Sequence, residues 1–316
     1  MDPWQFIAVK LSAAVDVMLL YVLESKGSSP GRQGFKMAVA ADGSICGTIG
    51  GGIMEHKFVE LARANLSKTS DPAVYKQVHD KAAGNNQSGM ICSGEQTIFL
   101  YKVKKQDEPQ LHALIQSLQK HQNGTLELTN EGIRFSNDAP ASNYYFKQQD
   151  DRNFIFREKT GYKNQLHIIG GGHCSLALSA LMRDMDFYIT VYDERKGLNT
   201  MEQNSFAHEQ ILVDSYAVLG NIIPGGDNVY VVIMTFGYRT DDMALRALLK
   251  RSFKYLGVLG SKKKMEKLFE ELRNENTDEK LLAHIHAPIG IQVKSQTTPE
   301  IAVSIAAEII SIKNSS

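Results

Sequence analysis

Cysteine is scarce in this chain: three residues in 316, at positions 46, 92 and 174, with no C-x-x-C pair among them. Few, odd in number and scattered, they exclude a disulfide scaffold and a zinc ribbon and point to a reducing compartment. Charge of one sign is lacking too. Thirty-five Lys and Arg face 35 Asp and Glu, a formal net charge of zero. No bulk basic field is available to neutralise a phosphate backbone, so generic nucleic-acid binding loses its support and any anion site must be local. No apolar run approaches the roughly 20 residues that span a bilayer, and Met1-Asp2-Pro3-Trp4 lacks the basic and apolar regions of a secretory signal. The expectation is a soluble, cytoplasmic protein with neither membrane nor nucleic acid as partner.

What is present suits a folded chain. Hydrophobic residues make up 43% and charged residues 22%, ordinary globular values that allow a real core. At roughly 150 residues per domain, the length suggests two domains.

In the first half, Asp2-Pro3 reads as an N-cap with proline at the first helical position. Val17 to Leu23 reads as a buried strand, and Gly27-Ser28-Ser29-Pro30-Gly31 as a loop. The Asp42-Gly43 pair between Phe35–Ala41 and Ser44–Thr48 predicts a hairpin. Helical spacing marks Glu55 to Leu66, and Glu95 to Val103 reads as another strand. Residues 1–105 therefore form a mixed α+β domain. The segment 106–162 is polar and patchy, with a helix near Leu111–Leu118 and hairpin strands around Leu126 and Ile133, and its expected role is connection.

From residue 163 the pattern becomes strand, glycine turn, helix, repeated: strands at Leu166–Ile169, Tyr188–Tyr192, Asn228–Met234 and Tyr255–Leu259, with helices at Ser175–Arg183, Asp241–Lys250 and Ile301–Ile310. This alternation predicts an α/β, Rossmann-like, doubly wound parallel-sheet domain over 163–316.

Gly170-Gly171-Gly172-His173-Cys174-Ser175 stands between a strand and a helix, the context a dinucleotide fingerprint requires. Gly170 makes the tight turn, and Gly172 lets backbone N–H groups approach a phosphate at the positive helix end. Asp193, 23 residues after Gly170, is placed to accept ribose hydroxyls. The alternative is that these glycines serve packing alone. Arg195 either pairs with Asp193 or reaches a phosphate, and His173 either donates to a ligand oxygen or satisfies loop backbone. A second strand-to-helix turn holds Gly260, Ser261 and Lys262: Ser261 can cap the helix, while Lys262 offers a point charge to an anion. Two more lysines follow at the positive helix end, which is electrostatically awkward without an anion. In the first half, Arg32, Lys36 and Gly50-Gly51-Gly52 with Glu55 are expected to converge on a ligand, with Glu55 as a first-turn acid being the plainer account. Cys92 in Cys92-Ser93-Gly94 is a candidate soft contact, while Cys46 and Cys174 read as packing residues. No nucleophile, base and orienter stand at recognisable spacing, so no catalytic residue is named and no metal site is read.

These blocks together resemble the XdhC/CoxI family of accessory factors for xanthine dehydrogenase. The N-terminal match is Gly27-Ser28-Ser29-Pro30, Gly34, Met37, Asp42-Gly43, Gly47 to Gly52 and Glu55, with Met90 to Gly94. The C-terminal match is Gly170 to His173, Asp193 with Arg195, Leu256 to Lys264, Pro288-Ile289-Gly290 and Pro299 to Ile309. The resemblance implies a cytoplasmic maturation protein, more a cofactor-binding chaperone than an enzyme. It would bind molybdenum cofactor (molybdopterin), protect it during sulfuration by a cysteine desulfurase and deliver it to an apo molybdenum hydroxylase, acting as a homodimer. Two positions depart from the family pattern: Phe236 replaces a common histidine after Thr235, and Ser93 a common glycine after Cys92. The competing readings are an NAD(P)-dependent oxidoreductase and a nucleotide-sensing binding protein.

Overall fold

The computed structural model describes residues 1–68, 71–78, 94–150 and 153–315. The chain divides into two compact units, Met1–Gly161 and Tyr162–Ser316. Among the described residues, no helix is long and apolar enough to cross a membrane.

The first unit opens with α1 (Pro3–Ser12), whose first turn is capped by the Asp2 carboxylate on the Trp4 N–H. Next come β1 (Val17–Gly27), β2 (Lys36–Ala40), β3 (Ile45–Gly47), α2 (Gly52–Leu66), β4 (Ala73–Val78) and β5 (Gly94–Lys102), forming a five-stranded sheet in the order β3-β2-β1-β5-β4 with antiparallel neighbours. Successive side chains on a strand point to opposite faces, and central β1 is covered on both. Met18, Leu20 and Val22 pack with Met54, Phe58 and Ala62 of α2. Leu19, Tyr21 and Leu23 face the other core. This double burial is why residues 17–23 read as an unbroken apolar run.

The segment expected to be a connection folds into this unit instead. It supplies α3 (Glu108–Gln119) and a second antiparallel sheet of β6 (Gly124–Thr129), β7 (Gly132–Ser136), β8 (Tyr144–Gln148) and β9 (Phe154–Thr160), in the order β7-β6-β9-β8. Leu111, Leu114, Leu126, Leu128, Phe154 and Phe156 share one core with Leu19, Tyr21 and Phe99. Fully burying each such side chain is worth ~1.5–3 kcal/mol, so residues 106–161 complete the first core rather than bridge to the second.

The second unit contains β10 (Asn164–Ile169), α4 (His173–Met182), β11 (Phe187–Asp193), α5 (Asn199–Glu202), β12 (Glu209–Leu212), α6 (Leu219–Ile222), β13 (Gly226–Ile233), α7 (Tyr238–Leu248), β14 (Phe253–Val258), α8 (Lys262–Asn274), α9 (Glu279–Leu282), β15 (Ile285–His286) and α10 (Thr298–Lys313). Its six strands are all parallel and run β12-β11-β10-β13-β14-β15. Counted within the unit, that is the 3-2-1-4-5-6 order of a Rossmann sheet. Leu178 and Met182 of α4 with Ala302, Ile305 and Ile309 of α10 cover one face. Leu245, Leu248, Met265, Leu268 and Leu272 of α7 and α8 cover the other. The strand order reverses between β10 and β13, and ligands of such sheets bind outside the strand ends at that point.

Candidate functional site

The Gly170 turn lies at this reversal. Gly170 has φ +106°, and a Cβ there would stand 2.5 Å from the Met234 carbonyl oxygen, so only glycine fits between β11 and β13. Gly171 is closed by the Met201 thioether, and the Thr200 hydroxyl donates to its carbonyl. At Gly172 the opposite holds: nothing lies within 4 Å of a built Cβ. No side chain caps the α4 N-terminus and its first turn carries no acid, so the positive helix end opens onto free space. His173 is exposed on that turn and, contrary to the loop-satisfying alternative, its ring has no hydrogen-bond partner among the described residues.

Asp193, at the end of β11, is wholly buried. Its Oδ2 accepts from the Gly171 N–H at 2.7 Å and from Arg195 Nη2 at 2.7 Å, and its Oδ1 accepts from the Arg195 N–H and Nε, both at 2.9 Å. Burial alone would raise this carboxyl, but the Arg195 guanidinium and the N–H groups outweigh it and hold it below the usual carboxylate range. Arg195 therefore pairs with Asp193, and its guanidinium lies over the Phe236 ring, 4.9 Å from the centroid. Phe236 is 65% exposed.

The Thr235 N–H and hydroxyl donate to Asp241 Oδ1 at 3.0 and 2.6 Å, while Lys264 Nζ pairs with Asp241 Oδ2 and donates to the Leu259 carbonyl at 3.2 Å. This pair joins the Thr235 turn to the start of α8 and absorbs one of the three awkward lysines. Ser261 caps α8 through its hydroxyl on the Lys264 N–H at 3.3 Å. Lys262 is free of such a partner: its side chain is 85% exposed, with only Glu266 at 3.9 Å. Gly260 and Lys262 line a cleft of about 650 Å³, walled by Met265, Phe269, Ile289 and Ile301 and edged by Lys294.

In the first unit, the two glycine loops do converge. A Cβ on Gly50 would stand 2.5 Å from the Gly31 nitrogen, and the buried Gln96 amide donates to the carbonyls of Gly31 and Ile49 at 2.9 and 3.2 Å, tying the loops together. Gly50, Gly51 and Gly52 all have positive φ, which turns their N–H groups inward. The nest is filled by the chain's own carboxylate. Glu55 Oε2 accepts from the Thr48 hydroxyl at 2.5 Å and from the Ile49 and Gly51 N–H groups at 2.9 Å each. Burial would raise Glu55, but these donors bring it below its ordinary value.

Lys36 does not join this cluster. It donates to the Gly34 carbonyl and sits over the rings of Trp4 and Tyr21, on the opposite face of β2 from Met37 and α2. Arg32 is exposed, with its guanidinium on the Gly27 carbonyl at 3.3 Å. Cys46 and Cys174 are half-buried and pack against apolar cores. Cys92 and Ser93 lie outside the described residues. Among the described residues, no group of three or more His, Cys, Asp or Glu is arranged to hold a metal ion.

Two residues of these sites, Gln96 and Thr200, escape a reading of the sequence, and Thr48 is read there only as part of the Ser44–Thr48 strand and the Gly47 to Gly52 block. Gln96 had a signal: a polar residue leading into the apolar run Ile98 to Tyr101.

Comparison with known proteins settles the kinship. The model of the XdhC Rossmann domain matches residues 166–309, and that of the XdhC and CoxI family matches residues 11–75. The chain belongs to the XdhC and CoxI family. An Escherichia coli K12 protein, uncharacterized protein YqeB, is 26% identical over 296 residues, which cover 93% of this chain and 43% of that one. The chain thus spans less than half the length of that relative. A Bacillus subtilis protein described as a probable xanthine dehydrogenase subunit is 22% identical, over 93% of this chain and 92% of its own. A crystal structure described as a xanthine dehydrogenase from Bacillus halodurans shares the fold, with a TM-score of 0.71 at 22% identity, covering 100% of this chain and 96% of that one.

Proposed function

We propose that this XdhC-family chain is an accessory factor that holds molybdenum cofactor in the cleft beside Gly260 and Lys262 and assists maturation of a xanthine dehydrogenase-like molybdenum hydroxylase. A cysteine desulfurase is the second partner in this reading, the working form is a homodimer, and the compartment is the cytoplasm. The observation that carries the ligand assignment is the cleft. Its volume of about 650 Å³ falls within the range of small-molecule sites.

The walls suit the cargo. A pterin cofactor has a flat ring, a dithiolene that must be kept from water and oxidants, and a phosphate. Phe269, Met265 and Ile289 supply apolar surface, and Lys262 and Lys294 supply two ammonium groups at the rim. Lys262 carries a loosely held charge that a phosphate can claim. The first-unit nest is a poorer place for an anion because Glu55 occupies it. The client class rests on the Bacillus subtilis relative, which this chain matches along almost its whole length.

The test is retention of the cofactor by the Lys262→Glu/Lys294→Glu variant. Both side chains are at the rim, so thermal melting should stay unchanged while cofactor no longer co-elutes. Undiminished retention would remove the cleft from the site.

A further inference from the structure

The end of β11 carries residues that lie outside the lining of the cleft. An acid at this position of a Rossmann sheet ordinarily takes the hydroxyls of an adenosine ribose. A carboxylate offers about four lone-pair positions, and in Asp193 the backbone N–H groups of Gly171 and Arg195 and two N–H groups on one edge of the Arg195 guanidinium fill them. No acceptor is left for a ribose hydroxyl. Arg195 itself is not used up: Nε and one hydrogen of Nη2 face Asp193, leaving Nη1 and the remaining Nη2 hydrogen, and about a third of the side chain is open to solvent. Phe236 backs the guanidinium and is itself exposed. Two wholly buried hydroxyls of this region, Ser175 on the first turn of α4 and Tyr216, lack any hydrogen-bond partner among the described residues. Tyr216 lies close enough to Asp193 for the carboxylate to add to the upward push of burial on its phenol.

We propose that the Gly172 turn and the Arg195–Phe236 pair form a binding site for an adenine dinucleotide bearing a ribose 2′-phosphate, the NADP(H) class, and discriminate against NAD(H). The pyrophosphate meets the uncapped N–H groups of α4. The 2′-phosphate meets the free fork of Arg195, whose planar geometry suits a phosphate better than an ammonium does. Held by Asp193, the guanidinium is fixed before the ligand arrives, so little side-chain entropy is lost on binding. Phe236, exposed beside the guanidinium, supplies an aromatic face beside the adenine.

The site is read by calorimetric titration of the full chain with NADPH, NADH, adenosine 2′,5′-bisphosphate and 5′-AMP at fixed ionic strength. NADPH and the bisphosphate bind at least about tenfold tighter than their partners lacking the 2′-phosphate. Arg195→Gln abolishes that preference and, by freeing Asp193 for the ribose, leaves NADH binding equal or improved. Because Arg195→Gln also loosens the turn, Phe236→Ala is the companion variant. It alters only an exposed ring and weakens NADPH by about three- to tenfold. NADH binding as tightly as NADPH in the unsubstituted chain, an unchanged preference in Arg195→Gln, or no binding of any of the four probes overturns the proposal. Cofactor retention by the same variants reads the cleft separately, since neither residue lines it.

Discussion

Replacing Glu55 by alanine removes the carboxylate that holds the triple-glycine turn in place. Three hydrogen bonds converge on Oε2, from the Thr48 hydroxyl and the N–H groups of Ile49 and Gly51. Bonds to a charged group contribute ~1.5–3 kcal/mol when shielded, but this carboxylate is partly open to water, and screening trims the sum. A loss of about 2 kcal/mol remains. For a unit of this size each kcal/mol moves the melting temperature by about 2–4 °C, so the first unit should melt ~4–8 °C lower. The pH dependence has a definite sign. The folded Glu55 value lies below the unfolded one, so its contribution is complete above about pH 4.3 and fades as pH falls through the folded value. The difference between the two proteins therefore shrinks in acid. In the variant the nest is open, and added sulfate or phosphate stabilises it more than the unsubstituted chain. Differential scanning fluorimetry across pH and anion concentration reads all three effects. An unchanged melting temperature, or equal stabilisation of both proteins by sulfate, would refute the assignment of Glu55 as the occupant of the nest.

Gly170→Ala places a Cβ at positive φ against the Met234 carbonyl and should cost at least ~2 kcal/mol in urea unfolding, whereas Gly172→Ala should stay within about 1 kcal/mol yet weaken any ligand at α4. Lys264→Met strands the buried Asp241 carboxylate and should cost about 3–5 kcal/mol, with most of it recovered in the Asp241→Asn/Lys264→Met double variant. His167 is buried and its pKa is pushed down to about 4. The unfolded chain takes up its proton below about pH 6.5 while the folded chain stays neutral, so ~3 kcal/mol of stability is lost between those values on acidification. A His167→Gln variant should show a flatter stability profile over that range.

The strands and helices that the pattern announced are those with one strong local cause. β1 is apolar on both faces, α1 and α10 carry cap and proline signals, and the glycine turns of the second unit punctuate its alternation. β12 gave no such signal because it is a four-residue edge strand with mostly exposed side chains. Residues 106–161 read as a connection because the partners that bury them, Leu19, Tyr21 and Phe99, lie elsewhere in the chain. At the site, the spacing of Gly170, Gly172 and Asp193 was legible. The saturation of Asp193 by Arg195 and the return of Glu55 to its own turn depend on side-chain geometry that spacing does not encode. Lys36 is different: period-two alternation along β2 puts it opposite Met37, so its separation from the glycine nest was available in the sequence.

In the proposed function this chain holds molybdenum cofactor. The most direct test is anaerobic incubation of the pure, full chain with the cofactor, followed by gel filtration with metal analysis of the protein peak and NADPH and NADH as parallel ligands. The expected result is molybdenum and pterin co-eluting with the chain and lost from the Lys262→Glu/Lys294→Glu variant. A protein peak free of both, from a chain that melts normally, would contradict it.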